Sequence, residues 1–219
     1  MSLGYGAWRA KVQQGVMVLL LAFALPALVS AAAEPAPVKK VLVMGDSLSA
    51  AYGLTPEQGW VALLDQRMKA RKPGWRVANA SISGETTAGG ASRIAGELAR
   101  HKPAVVVIEL GANDGLRGLP LAQTRANLER MIVSAKQSGA RVLLLGMRMP
   151  PNFGPQYTQG FERNYRDLAK AHGTALLPFL LEPIATDRSA FQSDNLHPVA
   201  AAQPKLRDHV WPALAPLLR

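Results

Sequence analysis

The stretch VLVMGDSLSAAYG, residues 41–53, passes from a continuous apolar run through Gly45 into an acid and two small hydroxyls, Asp46, Ser47 and Ser49. An apolar run of four that ends at glycine reads as a short strand covered on both faces, since it leaves no alternate polar position for solvent. Two further runs share this character, VVVIEL at residues 105–110 and VLLLGM at residues 142–147. The full set of strand candidates is Lys40–Met44, Arg76–Ala80, Ala104–Leu110, Arg141–Met147 and Thr174–Phe179. Between them lie segments with apolar residues three and four apart, such as Trp60, Leu63, Leu64 and Met68, with others around Ile94 to Leu98, Leu128 to Ile132 and Ala200 to Leu218. This alternation predicts an α/β fold: one domain, a three-layer α/β/α sandwich around a mostly parallel five-stranded sheet. No internal repeat and no second core is visible.

The first 33 residues do not read as part of that fold. Arg9 and Lys11 form a positive start, Val16 to Val29 is apolar apart from Pro26, and Ser30 to Ala33 supplies small residues. That order is the signature of a cleaved secretory signal peptide, with cleavage expected between Ala31 and Glu34. Fourteen apolar residues fall short of the roughly 20 needed to span a bilayer. The expected division is a signal peptide at 1–33, a Pro-containing linker at 34–39 and the domain at 40–219, exported to the periplasm or the medium. Residues 34–219 carry 23 basic and 15 acidic residues, a net charge of +8. A positive surface favours anionic partners, including transient contact with an anionic membrane. Nucleic acid is not expected, because the basic residues are scattered through helical segments with no aromatic-interleaved stripe. There is no cysteine, so stability rests on the core, and a monomer is expected.

In parallel sheets, ligands bind beyond the carboxyl ends of the strands. Here those ends are Gly45-Asp46-Ser47, Ser81-Ile82-Ser83-Gly84-Glu85 and Gly111-Ala112-Asn113-Asp114, and the loop Ser193-Asp194-Asn195-Leu196-His197-Pro198 can approach the same rim. Glycine, aspartate and serine favour turns and caps on their own account. A serine becomes a nucleophile only with a base, usually histidine. Of the four histidines, His101 and His172 read as helix-end caps and His209 as a surface residue of the last helix. His197 stands in a polar loop, three residues after Asp194, close enough for the carboxylate to fix the imidazole tautomer. Ser47, read as opening a helix, offers its backbone N–H to a developing oxyanion; Gly84 and Asn113 offer a backbone and a side-chain donor.

The blocks GDSLS, the Gly84 of ASISGET, GAND and DNLHP, in this order, resemble the four sequence blocks of the SGNH (GDSL) hydrolase superfamily. GDSLSAAYGL, GANDGLRGLP, LPFLLEPIA and HPVAAAQP extend the likeness over residues 40–219, toward the bacterial multifunctional esterases that act on aryl esters, lysophospholipids and acyl thioesters. The resemblance implies a flavodoxin-like sheet and a triad of Ser47, His197 and Asp194. It also implies an oxyanion hole from the Ser47 and Gly84 amides and the Asn113 side chain, with no cofactor and no metal. At position 195 the sequence has Asn where the family commonly has Gly, and Asn tolerates left-handed backbone angles, so the loop is expected to survive.

Leu116 and Leu119 after Asn113, and Phe153 in the connection after the fourth strand, are expected to line an acyl groove, with Arg117 and Arg148 near its mouth. The substrate class is a small-molecule or lipid acyl ester. Three other readings stay open: a carbohydrate O-acetyl esterase of the same superfamily, a metallophosphoesterase using the strand-end acids, and a non-catalytic anion-binding module.

Overall fold

The structure, a computed structural model, describes residues 37–219; the segment read as a signal peptide lies outside the described residues. Among the described residues five strands, β1 (Lys39–Gly45), β2 (Trp75–Asn79), β3 (Val105–Glu109), β4 (Arg141–Leu145) and β5 (Ala175–Leu177), form one sheet in the order β2-β1-β3-β4-β5. Every pairing is parallel. Six α-helices accompany them: α1 (Trp60–Arg71), α2 (Thr87–His101), α3 (Ala112–Leu116), α4 (Leu121–Gln137), α5 (Pro155–His172) and α6 (Gln203–Leu214). Helices α1 and α6 pack together on one side, and α2, α4 and α5 pack in a row on the other. The expected α/β/α layering is therefore present, with a sheet that is wholly parallel.

β5 is short because its end runs into a residue that cannot continue the ladder. β5 stops at Leu177, two residues before the predicted end, where Pro178 has no N–H to donate. β1 begins one residue early: Lys39 pairs with Trp75 and its ammonium lies 5.6 Å over the indole ring. The predicted linker therefore loses its last residue to the sheet. The three apolar runs behave as their composition requires, for Val41 to Met44, Val105 to Ile108 and Leu143 to Leu145 are fully buried between the helix layers.

The order of the strands positions the site. The chain leaves β1 in one direction to build β2 and returns across it to build β3, so β1 and β3 are neighbours whose following loops diverge. A crevice opens outside the carboxyl ends at such a switch point. Ser47 follows β1 and Asn113 follows β3, which places the two strand-end motifs side by side.

Candidate active site

The chain after β1 makes a tight turn and no α-helix. The Ala50 N–H donates to Asp46 O at 2.9 Å and the Tyr52 N–H to Ser47 O at 3.1 Å, then Ala51 adopts φ 59° and the turn ends. The expectation that Ser47 opens a helix is corrected here: α1 starts only at Trp60, so no helix dipole bears on the serine. A positive φ at a non-glycine residue, Ala51, is what stops the helix from forming. The polar residues flanking Ser47 are not exposed either. Asp46 and Ser49 are buried, and of the three only Ser47 is half open to solvent.

Glycine at position 45 is required for space. A Cβ there would sit 2.7 Å from the Ser49 side chain and 2.9 Å from Glu109 Oε2. Gly45 pairs across the sheet with Glu109, and this opening lets Ser49 Oγ donate to Glu109 Oε2 at 2.7 Å. Burial pushes the Glu109 carboxyl well above its ordinary range, and the neighbouring Asp46 charge pushes it further. The Asp46 carboxyl is raised to about 6, by burial first, against the lowering effect of the Leu48 N–H it accepts. In the sequence Glu109 is hidden as one acid within VVVIEL; its signal is its register opposite Gly45.

His197 is delivered by a closed loop. Phe191 and Pro198 form an antiparallel bridge, the Gln192 N–H donates to His197 O at 2.7 Å, and Asn195 takes φ 57° between them. The left-handed angle expected of Asn195 is present. Asp194 Oδ1 accepts the backbone N–H groups of Leu196 and His197 at 2.9 and 3.0 Å, and its Oδ2 lies 2.6 Å from His197 Nδ1. The hydrogen bond to the His197 ring, followed by those from the two amides, draws the Asp194 carboxyl down to about 2. His197 Nε2 lies 2.8 Å from Ser47 Oγ. On its other side the ring meets Tyr52, centroid to centroid 4.4 Å, and Gln192 Nε2 holds that segment by donating to Tyr52 O. Nothing in the sequence singles out Tyr52 for this place.

The remaining histidines have structural partners. His101 faces Glu97 at 3.2 Å and His172 faces Glu129 at 2.8 Å. His209, read as a surface residue, is half-buried with Nε2 3.0 Å from Phe179 O. Among the described residues no three His, Asp or Glu side chains group as metal ligands.

Gly84 and Asn113 border the same cavity as Ser47 and His197. A Cβ at Gly84 would meet nothing within 4 Å, so the glycine there serves the backbone, which takes φ 79°. Asn113 lies in α3, where a loop was expected; Asp114 beside it accepts from Thr87 N at 2.8 Å and Thr87 Oγ1 at 2.5 Å, tying α3 to the start of α2. An acid at a helix N-terminus is favourably placed. The Asn113 amide nitrogen donates to Asp46 Oδ2 at 3.2 Å and to Glu85 O at 3.0 Å. Arg117 reaches across the rim to Gly84 O at 3.2 Å.

The cavity holds about 370 Å³ and its walls are mostly apolar, from Leu48, Leu116, Met147, Met149, Phe179 and Leu181 among others. Of the residues expected to line a groove, Leu116 does so. Leu119 and Phe153 fall outside the walls, which is a correction. Phe153 borders a separate depression with Leu121 and Tyr157, and the Leu119 carbonyl accepts from Tyr157 Oη. Their places are taken by Phe179 and Leu181, which follow β5 in the LPFLLEPIA block. Arg148 is among the residues lining the cavity, its guanidinium 5.0 Å over the Phe179 ring and 3.6 Å from Glu162.

A parallel sheet that carries serine, histidine and aspartate in this hydrogen-bonded order at its carboxyl edge has the build of a serine hydrolase. The model of the GDSL-like lipase/acylhydrolase family matches residues 43–203, and the chain belongs to that family. It is similar to esterase TesA of Pseudomonas aeruginosa, with 51% identity over 185 residues covering 84% of this chain and 92% of that protein. It is 38% identical to thioesterase 1/protease 1/lysophospholipase L1 of Escherichia coli strain K12, over 81% of this chain and 84% of that one. Among solved structures it resembles the psychrotrophic esterase EstA from Pseudoalteromonas sp., inhibited by monoethylphosphonate. That match has a TM-score of 0.79 and 38% identity, covering 82% of this chain and 98% of that one. The chain is thus an enzyme, a hydrolase of acyl esters.

Proposed function

We propose that hydrolysis runs through an acyl-enzyme on Ser47, with His197 as general base and acid and Asp194 as its partner. Ser47 Oγ attacks the ester carbonyl carbon while its proton passes to His197 Nε2. The carbonyl π electrons move onto oxygen, and that oxyanion takes hydrogen bonds from the Ser47 and Gly84 amides and from Asn113 Nδ2. Collapse re-forms the carbonyl and breaks the bond to the alcohol or thiol, which leaves with the His197 proton. Water then attacks the acyl-serine, giving its proton to His197, and the acid departs as Ser47 recovers that proton.

The observation that carries this reading is the unbroken chain from Ser47 Oγ through both His197 nitrogens to Asp194, opening onto an apolar cavity. An acetyl group needs little of such a cavity, so its walls favour medium or long acyl chains over a carbohydrate O-acetyl substrate. Each buried methylene adds up to about 0.8 kcal/mol of binding. We read the substrates as aryl esters, lysophospholipids and acyl thioesters, the last two supported by the name of the Escherichia coli relative. Residues 1–33 are read as a signal peptide, so the working enzyme is periplasmic or secreted, a monomer that meets anionic membrane surfaces transiently. The testing experiment compares kcat/KM on p-nitrophenyl esters, lysophosphatidylcholine and palmitoyl thioester. A rise from acetate to longer acyl chains supports the reading; a steady fall from acetate onward overturns it.

A further inference from the structure

Two buried carboxyl groups beneath the Ser47 turn have no part in the hydrolytic steps. Glu109 Oε2 clamps the turn from below, accepting Ser49 Oγ at 2.7 Å and the Asp46 N–H at 3.4 Å. Asp46 points the other way along the turn. One of its oxygens accepts the Leu48 N–H at 3.0 Å and the other accepts Asn113 Nδ2 at 3.2 Å.

Resting on the reading that Asn113 donates to the oxyanion, we propose that Asp46 is a positioning residue that sets the orientation of the Asn113 amide relative to Ser47. A side-chain amide has one donating and one accepting end, nearly equal in shape. Two acceptors, the Asp46 carboxylate and the Glu85 carbonyl, flank the Asn113 nitrogen. Rotating the amide by half a turn would set its oxygen against both, so the nitrogen is held on this side, and the hydrogen it gives Asp46 at 3.2 Å, the longer of its two contacts, is the one that passes to the oxyanion. Glu85 is itself fixed by a two-nitrogen contact from Arg93. Asp46 is bonded through the chain to Ser47, so one side chain keeps nucleophile and donor in register. The contact spans 67 positions of sequence and joins the loops after β1 and β3. A turn-capping Asp would need only the bond to Leu48.

Asp46→Asn keeps the size and the bond from Leu48, but sets an NH2 or a weakened acceptor against Asn113. Measured with p-nitrophenyl butyrate, kcat should fall about ten- to a hundredfold with KM within twofold. In an Asn113→Ala background the same substitution should change kcat less than about threefold, because the residue it acts through is gone. Equal fold-losses in both backgrounds, or a loss carried by KM, would overturn the proposal. If Asp46→Asn fails to fold, the wild-type enzyme decides by NMR. Two well-separated, slowly exchanging Asn113 side-chain amide protons support the proposal, and a freely exchanging pair overturns it. A Ser47→Ala enzyme that stays active would count against the hydrolytic reading itself, whereas equal losses with Ser47→Ala inactive count against the positioning role alone.

Discussion

His197 Nε2 lies 2.8 Å from Ser47 Oγ across 150 positions of sequence, and the β2-β1-β3-β4-β5 sheet is what brings them together. Ser47 leaves β1 at the switch point, and His197 returns in the last loop before α6. If this contact moves the proton, Ser47→Ala and His197→Ala should each lower kcat by about three or more powers of ten. Steady-state kinetics with circular dichroism to confirm the fold checks this; a Ser47→Ala enzyme retaining a tenth of the activity would contradict it.

Asp194 holds the ring from the other side. Its carboxyl is drawn below the unfolded value of 3.8 to about 2, so its stabilising contribution is present above about 3.8 and is lost as pH falls toward about 2. Asp194 is therefore already ionised well below neutral pH and should not set the acid limb of activity. Asp194→Asn should lower kcat by on the order of 10⁴, since an amide stabilises the wrong tautomer. A pH–rate profile whose acid limb lies at the Asp194 value would contradict this assignment.

Asn113→Ala should depress kcat by about 10²–10³ with little change in KM, because the donor acts on charge that exists only in the transition state. A loss confined to KM would make Asn113 a substrate-binding residue.

The five strands, the layering and the four polar loops are legible in the sequence because each rests on local signals: apolar runs of strand length, glycines at their ends and a short Asp-x-x-His spacing. Three things are not. The sequence around Ser47 reads as a helix start, but Ala51 at φ 59° ends the turn, and nothing in an alanine announces a positive φ. The cavity walls escape because loop leucines near a site do not reveal which of them will line it: Leu116 does, while Leu119 lies outside the walls, its carbonyl accepting from Tyr157 Oη. Glu109 passes as part of an apolar strand, since its pairing with Gly45 is a property of register between distant segments.

The carboxyls beneath the nucleophile should weaken the fold at neutral pH. A buried acid whose value rises from 3.8 to about 6, as for Asp46, stabilises the protein fully below about 3.8 and loses that contribution as pH climbs through 6, about 3 kcal/mol in all. Glu109 is shifted in the same direction. Glu109→Gln should therefore raise the thermal midpoint relative to wild type at pH 8, with the gap closing by pH 4. A pH-independent difference between the two would contradict the buried-carboxyl account.

The apolar walls give a prediction with an internal control. Phe179→Ala should lower kcat/KM for an eight-carbon p-nitrophenyl ester by about ten- to a hundredfold while leaving acetate nearly unchanged, as expected for loss of about 1.5–3 kcal/mol of apolar contact. Leu119→Ala, outside the cavity, should leave the chain-length profile as it is. Equal effects of both substitutions would mean that the walls do not select the acyl chain.

The central claim is that Ser47 becomes covalently acylated, and a fluorophosphonate tests it directly, since its phosphorus is attacked by an activated serine and the adduct resists hydrolysis. Intact mass followed by peptide mapping should find one phosphonyl group, on Ser47, absent after Ser47→Ala and slowed severely by His197→Ala. An unlabelled wild-type enzyme that is active on esters, or a label on any other residue, would contradict the account.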